Sequence, residues 1–186
     1  MPANSSSYGR SRYPIYRQNF GGFRRSFPSL PLKREYGKET SSMLFERRGQ
    51  KAVLDTNVII SGMLFPGSLP QKILECAIIG EFDAVTSPSL LEELQRTLIR
   101  RFGFSTEEGK DAKEFFEKIC TVAEPSEIPE VVAADRDDDN LFAAAICGNA
   151  KIIVSGDKKV RAIKRFGGID VYSPREFLDF MKEKEQ

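Results

Sequence analysis

Acidic residues follow two apolar segments of the sequence, at the point where each segment ends. Asp55 comes directly after the apolar residues 52–54, and Asp157 closes the segment "KIIVSGD". In open parallel α/β sheets, functional sites form at the carboxyl ends of the strands. If both segments are parallel strands of one sheet, Asp55 and Asp157 project from the same edge. One such aspartate could be only the N-cap of the next helix, whereas two of them favour a shared site.

Two further acidic groups lie near the starts of predicted helices. Glu92 and Glu93 are adjacent in "LLEEL", and helical periodicity does not choose between them; Glu92 could also complete a capping box with Ser89. The segment 135–139, "DRDDD", holds four aspartates in five residues. One aspartate is enough to stabilise a helix N-terminus, and the others repel one another unless a cation compensates. A solvated acidic loop is the alternative.

The absence of histidine limits the chemistry that the chain can perform. It excludes Ser-His-Asp triads, Cys-His pairs and zinc held by histidine. Oxygen ligands from clustered Asp and Glu suit Mg²⁺ or Mn²⁺. Such sites serve phosphoryl transfer, in which the metal orients and activates water and neutralises negative charge. The acidic groups therefore predict a site for Mg²⁺ or Mn²⁺.

The segments that must position these acids alternate between short strands and helices from residue 51 onwards. The strands are apolar throughout instead of alternating between apolar and polar residues, which is typical of a parallel sheet covered on both faces. We therefore expect an α/β fold over residues 51–186. In this fold, a three-layer α/β/α sandwich, the central sheet is mainly parallel.

Local signals define the ends of the predicted helices. Ser87 followed by Pro88 reads as an N-cap with proline at the first helical position. Ser173 and Glu176 form a capping box at the start of the last helix. A further helix is predicted over residues 158–166, "KKVRAIKRF".

The first 50 residues differ in composition from the rest of the chain. Residues 1–51 carry 11 Lys/Arg and 3 Asp/Glu, a balance of +8, whereas residues 52–186 carry 17 and 24, a balance of −7. Residues 1–50 mix Ser, Gly, Pro, Arg and single aromatic residues without periodicity, which predicts a disordered basic tail. Its arginines and aromatic rings could hold RNA by phosphate contacts and base stacking. A solvated tail without a role, or a natural start at Met43, is the alternative.

The cysteines and the apolar segments indicate the compartment. Cys76, Cys120 and Cys147 are far apart, which argues against a disulfide framework or a zinc knuckle. We expect them to be buried thiols in a reducing cytoplasm. No apolar stretch approaches the roughly 18 residues that span a bilayer, and no hydrophobic segment follows the basic N-terminal residues as in a secretory signal. We therefore expect a cytoplasmic protein that does not enter a membrane.

Three segments together resemble the PIN domain, as found in the ribonucleases of toxin–antitoxin pairs (VapC-like proteins). "VLDTNVIISGMLF" is similar to the first strand and turn of that family. "SPSLLEELQRTL" is similar to its second acidic helix, whose acid is followed by Leu, which favours Glu93 over Glu92. "DRDDDNLFAAAICGNAKIIVSGDKKV" resembles the third and fourth motifs together. The motifs occur in the family's order, whereas residues 1–50 match nothing in the domain.

The resemblance implies roles for individual residues. Four acids would hold the metal and catalyse the reaction: Asp55, Glu93, Asp138 and Asp157. Asn57 and Ser155 would support the site as polar neighbours. The choice among the residues 137–139 favours Asp138, although a shift by one residue to Asp139 is defensible, so that Asp139 is at least a supporting residue.

The implied reaction is the hydrolysis of RNA phosphodiester bonds with Mg²⁺ or Mn²⁺, leaving a 5′-phosphate and a 3′-hydroxyl. Because the domain is negatively charged and RNA is a polyanion, we expect Arg96, Arg100 and Arg101 to bind the substrate. The resemblance also implies two protein partners, an antitoxin and a second copy of the chain in a homodimer.

Two other functions stay open at this point. A catalytically silent, RNA-binding scaffold with the same fold is disfavoured by intact acids at all four positions. A phosphatase with an Asp nucleophile usually carries a second Asp two residues after the first, and Asn57 occupies that place.

Overall fold

The structure, a computed structural model, describes residues 49–132 and 136–183. The predicted basic tail therefore lies outside the described residues, apart from its last two positions. In the described part of the chain, the strands are β1 Lys51–Leu54, β2 Asp83–Thr86, β3 Thr121–Val122, β4 Ile152–Val154, β5 Arg165–Phe166 and β6 Ile169–Tyr172. The helices are α1 Thr56–Leu64, α2 Leu69–Ile79, α3 Pro88–Phe102, α4 Thr106–Ile119, α5 Arg136–Cys147, α6 Lys158–Ala162 and α7 Pro174–Glu183.

The six strands form one sheet in the order β3-β2-β1-β4-β6-β5. Every neighbouring pair is parallel except β5 and β6, which are antiparallel. The carboxyl ends of β1, β2 and β4 therefore meet at one edge of the sheet. The predicted α/β fold with a mainly parallel central sheet is confirmed.

Helices cover both faces of this sheet, and strand β1 shows how the sequence divides between them. Ala52 and Leu54 belong to a buried cluster with residues of α1, α2, α3, α4 and α7. Val53, which lies between them, belongs to a second cluster with residues of α5 and α6. Successive side chains of a strand point to opposite faces, so an uninterrupted apolar strand serves both cores. This is why β1 carries only apolar residues between Lys51 and Asp55.

The predicted helix starts are confirmed where a side chain caps the helix. The Ser87 hydroxyl accepts the Leu90 N–H at the start of α3. Ser173 and Glu176 exchange the two hydrogen bonds of a capping box at the start of α7, at 2.7 and 3.2 Å. Because Ser87 is the cap of α3, the alternative of a capping box between Ser89 and Glu92 is wrong.

The helix predicted over residues 158–166 is much shorter than expected. Helix α6 ends at Ala162, and Arg165 already pairs with Asp170 in the β5–β6 hairpin. Lys164 has a φ of 58°, which is outside the right-handed helical region. The two glycines after Phe166 also have positive φ values and close the turn. The apolar spacing of the segment fits a helix, but the turn that follows prevents it from continuing.

The three cysteines differ in their exposure to solvent. Cys76 and Cys120 are partly buried, but the expectation of a buried thiol is wrong for Cys147, which is exposed. Helix α5 buries Leu141 and Ala145, and Cys147 lies in the last turn away from that stripe.

No helix within residues 49–132 and 136–183 is long and apolar enough to cross a membrane.

Candidate active site

Asp55 lies where β1 ends, in register with Ser155 at the end of β4. The two strands pair in parallel up to Leu54 and Val154, and the Asp55 N–H donates to the Val154 carbonyl at 2.9 Å. Asp55 is 5% exposed and Ser155 is 0% exposed. The parallel register thus places a carboxyl group and a hydroxyl group side by side at the edge of the sheet.

Both carboxylate oxygens of Asp55 accept hydrogen bonds. Oδ1 accepts the Asn57 N–H at 2.9 Å, which makes Asp55 the N-cap of α1. Oδ2 accepts a short hydrogen bond from the Ser155 hydroxyl. Burial raises the pKa of Asp55 above its usual range, and the negative charge of Asp157 raises it further, while the bonds from Ser155 and Asn57 oppose the rise. Asp55 is thus a helix cap, and its hydrogen bonds do not fully offset the effects of burial and of Asp157 on its negative charge.

Asp157 is joined to Asp55 through the same hydroxyl group. Its backbone N–H donates to Ser155 Oγ at 3.0 Å, while that hydroxyl donates to Asp55. The Asp157 side chain is partly exposed and caps α6 by accepting the Lys159 N–H at 2.7 Å. The structure therefore brings Asp55 and Asp157 together around Ser155.

The side chain of Glu93, on α3, is hydrogen-bonded to Thr56 at this edge of the sheet. No sequence motif indicated Thr56. The Thr56 hydroxyl donates to Glu93 Oε2 at 3.2 Å. Thr56 follows Asp55 directly and is buried. Glu92, by contrast, is exposed, so that Glu93 is the member of the pair that faces the end of β1.

The acidic segment at the start of α5 contains a buried carboxylate with a different setting. Asp139 is 4% exposed, and its Oδ1 accepts the N–H groups of Val131 and Val132 at 2.9 and 2.7 Å. Its carboxylate thus holds the segment that precedes the helix. Asp138 is only partly buried. The two candidates for the third acid therefore differ, with Asp139 engaged by the backbone and Asp138 more open.

Two carboxylates at this edge could bind Mg²⁺, whereas the side chains do not form a complete set of ligands around one point. In the described ranges, no three acidic or cysteine side chains converge on one point where a metal ion could be held. Mg²⁺ commonly keeps several waters and is bound by one or two carboxylates. Asp55 and Asp157 supply two carboxylates, and a cation between them would offset the repulsion that raises the pKa of Asp55. The donor set therefore fits a hydrated divalent cation.

The three arginines expected to bind the substrate lie along α3. Arg96, Arg100 and Arg101 are exposed, and α3 also carries Glu93. With a rise of about 1.5 Å per residue, Arg96 is about one turn beyond Glu93, and the other two are about two turns beyond it. The exposed positive charge thus extends away from the acids along one helix.

A cleft that no sequence motif indicated adjoins Asp157. It has a volume of about 330 Å³. It lies between α1, the first turns of α2 and α7, and the segment that follows β4. Its lining residues are Asn57, Val58, Ser61, Pro70, Gly156, Asp157 and Pro174. The cleft forms where four segments that are far apart in the sequence pack together, so no local pattern predicts it.

The sequence matches the family profile of the PIN domain over residues 51–159, which is more than half of the chain. The chain belongs to the PIN domain family. PIN domains are generally nucleases and generally use divalent metal ions, so the family agrees with a site built from acids at this edge of the sheet. The predicted family is confirmed, and the matched range contains the four acids proposed from the sequence.

Individual relatives of this PIN domain are distant. The "Uncharacterized protein MJ1680" of Methanocaldococcus jannaschii is 26% identical over 141 residues, covering 69% of this chain and 90% of the relative. Among solved structures, VapBC2 from Rickettsia felis, bound to a DNA fragment from its promoter, has a TM-score of 0.48 at 15% identity, covering 67% of this chain and 98% of that one. PAE2754 from Pyrobaculum aerophilum also has a TM-score of 0.48, at 13% identity, covering 78% and 99%. Similarity at this level says nothing about substrate.

Proposed function

We propose that the protein is a divalent-metal-dependent ribonuclease that hydrolyses RNA phosphodiester bonds. The observation that carries the proposal is the pair of carboxyl groups around Ser155. Asp55 is buried, receives two hydrogen bonds and still has a raised pKa because burial and the charge of Asp157 act against its ionised form. A buried acid with a raised pKa, joined through Ser155 to a carboxylate that lines an open cleft, is a candidate for a functional site.

The chemistry follows from the charges at the end of β1 and β4. A bound Mg²⁺ or Mn²⁺ would orient and activate water and neutralise charge on the phosphate. Asp55 and Asp157 would hold the cation, and Ser155 fixes the orientation of the Asp55 carboxylate by donating to it. In the reaction, an oxygen of water forms a bond to phosphorus while the bond to the 3′ oxygen breaks. The products are a 5′-phosphate and a 3′-hydroxyl.

Glu93 and Asp138 complete the proposed set of acids. The hydrogen bond from Thr56 keeps Glu93 directed towards the end of β1, which supports its role at the site. Asp138 is preferred to Asp139 because two backbone N–H groups already engage the Asp139 carboxylate. Arg96, Arg100 and Arg101 would hold the RNA backbone beyond Glu93 through their exposed positive charge.

The proposal extends to partners. RNA is the substrate, and the toxin of a toxin–antitoxin pair is the biological role that the resemblance suggests, with an antitoxin as the protein partner. A homodimer is part of the same proposal. Light scattering of the purified chain, alone and with the product of the adjacent reading frame, tests both associations by mass.

Cleavage of labelled RNA tests the reaction itself. We expect cleavage of single-stranded RNA with Mg²⁺ or Mn²⁺, none with excess chelator, and recovery when the metal is restored. An Asp55→Asn variant that folds but does not cleave separates this enzyme from a contaminating nuclease. RNA binding without cleavage by the wild type would instead indicate a silent scaffold, and release of phosphate from monoesters would indicate a phosphatase.

A further inference from the structure

The cleft shares Asp157 with the proposed active site, and none of its lining residues lies on α3. Helix α1 packs against both α2 and α3, and α2 packs against α7. The cleft is lined by residues of α1, α2, α7 and the end of β4, whereas Glu93 belongs to α3. A strand of RNA whose phosphate lies at Asp55 and Asp157 could therefore reach α3 in one direction and the cleft in the other.

The walls of the cleft have the character of a site for a flat, uncharged group that forms hydrogen bonds. Pro70 and Pro174 supply apolar ring surfaces from the starts of two helices. Asn57 and Ser61 supply polar groups, and because they are four residues apart in α1 they lie on the same face of that helix. Apolar walls with a few polar groups are typical of small-ligand sites.

The size and charge of the cleft narrow the ligand further. Its volume of about 330 Å³ is at the small end of the range of about 300–1,000 Å³ for ligand pockets, which suits one nucleotide unit and not a longer segment. The carboxylate of Asp157 forms part of the lining and repels a second phosphate group. A neutral base is therefore favoured over the negatively charged backbone.

We propose that this cleft binds the base of the RNA nucleotide next to the bond that is cleaved. The inference rests on the proposed function, because it assumes that a phosphate group lies at Asp55 and Asp157. It gives the enzyme a contact with a base in addition to the backbone contacts along α3. Such a contact positions the strand and makes cleavage depend on the nucleotide at one place.

Two substitutions add bulk at residues that line the cleft without replacing an acid. Ser61→Leu places a larger apolar side chain in the cleft, and Ser61→Ala is its control, because it removes the hydroxyl group without adding bulk. Gly156→Ala is an independent variant, because a Cβ at Gly156 meets no atom within 4 Å. It adds a methyl group without a clash, so a folding defect of Ser61→Leu would not end the test.

The decisive substrate is a short RNA in which the base on one side of the mapped cleavage bond is replaced by hydrogen. We expect loss of the base to lower the kcat/KM of the wild type about tenfold, which corresponds to about 1.4 kcal/mol. Ser61→Leu should lower kcat/KM for the normal RNA by a similar factor, mainly through KM. Combined, the two changes should cost little more than either alone, since both remove the same contact. Gly156→Ala adds less bulk, so it should reduce the effect of base removal only in part.

The outcomes separate this inference from the proposed function. If the wild type cleaves RNA but the effects of Ser61→Leu and base removal multiply, or neither has an effect, the cleft does not bind the base. If the wild type cleaves no RNA with either metal, the proposed function fails. Saturation-transfer NMR with adenosine and uridine 5′-monophosphates then tests whether the cleft binds a nucleotide base. Binding to the wild type and Ser61→Ala but not to Ser61→Leu supports it, and no binding to the wild type overturns it.

Discussion

Asp55 and Asp139 are two buried aspartates with nearly equal exposure, 5% and 4%, in different electrostatic surroundings. Asp139 accepts two backbone N–H groups on one oxygen and holds the segment before α5. Asp55 accepts one backbone N–H and one hydroxyl, and it also faces the negative charge of Asp157. Burial alone therefore does not distinguish the two acids. The difference lies in whether the neighbours compensate the charge or oppose it.

The largest expected effect is that of Asp55→Asn on RNA cleavage. Asparagine caps helices about as well as aspartate, so the cap of α1 survives while the charge that would hold a cation is lost. We expect activity to fall by orders of magnitude, and the metal-free melting temperature to stay equal or rise because repulsion with Asp157 is relieved. Cleavage rates and thermal melting of both proteins measure this. A variant that still cleaves at close to the wild-type rate would falsify the metal-binding role of Asp55.

The second prediction applies the same change to the two neighbouring acids of α5. Asp138→Asn should reduce cleavage by orders of magnitude because Asp138 is the third acid of the proposed set. Asp139→Asn should keep most of the activity and stability, because its amide oxygen can still accept the N–H groups of Val131 and Val132. Cleavage assays of the two folded variants decide between them. The reverse result would move the third acid by one residue and remove the contrast between Asp55 and Asp139.

The same residues show which features of the site local sequence can predict. Apolar strands that alternate with helices are a local signal, and they predicted the parallel sheet. The Asp that follows two of these strands predicted the edge where Asp55 and Asp157 meet. The bond from Thr56 to Glu93 joins residues 37 positions apart, and no local pattern encodes that distance. The bonds that occupy Asp139 depend on how the preceding segment folds back. Local sequence thus predicted the acids, and tertiary packing determines which of them have compensating neighbours.

The third prediction concerns stabilisation by metal. A ligand that binds only the folded state stabilises it by about 2.7 kcal/mol at a hundredfold excess over its Kd, which corresponds to a rise in Tm on the order of 10 °C for a domain of this size. We expect Mg²⁺ to raise the Tm of the wild type and of Asp139→Asn, but much less that of Asp55→Asn. Melting curves with Mg²⁺ and with chelator measure the difference. An equal rise in all three proteins would place the bound metal elsewhere.

The fourth prediction tests the structural side of the comparison. Asp139→Ala removes the only bonds that the structure shows for the Val131 and Val132 N–H groups among the described residues. A buried donor without a partner costs about 1–3 kcal/mol, so the free energy of unfolding should fall by about that amount. Asp139→Asn is the matched control and should lose much less. Equal losses in denaturant titrations would mean that the charge of Asp139, and not its hydrogen bonds, stabilises the fold.

The smallest expected effect is a change in the pH dependence of cleavage. The Ser155 hydroxyl lowers the pKa of Asp55 by donating to its carboxylate, while burial raises it. Ser155→Ala removes the lowering contribution, so the pKa of Asp55 should rise and a higher pH should be needed to ionise it. A hydrogen bond to a charged group contributes about 1.5–3 kcal/mol, so the acidic limb of the pH–rate profile should move upwards by about one to two pH units. Ser87→Ala is the matched control, because Ser87 is also 0% exposed and its hydroxyl caps α3 instead. That variant should lose about 1 kcal/mol of stability and keep the wild-type pH profile. An acidic limb that stays in place in Ser155→Ala would mean that cleavage does not depend on the ionisation of Asp55, which would remove the electrostatic difference between Asp55 and Asp139 as the basis of function.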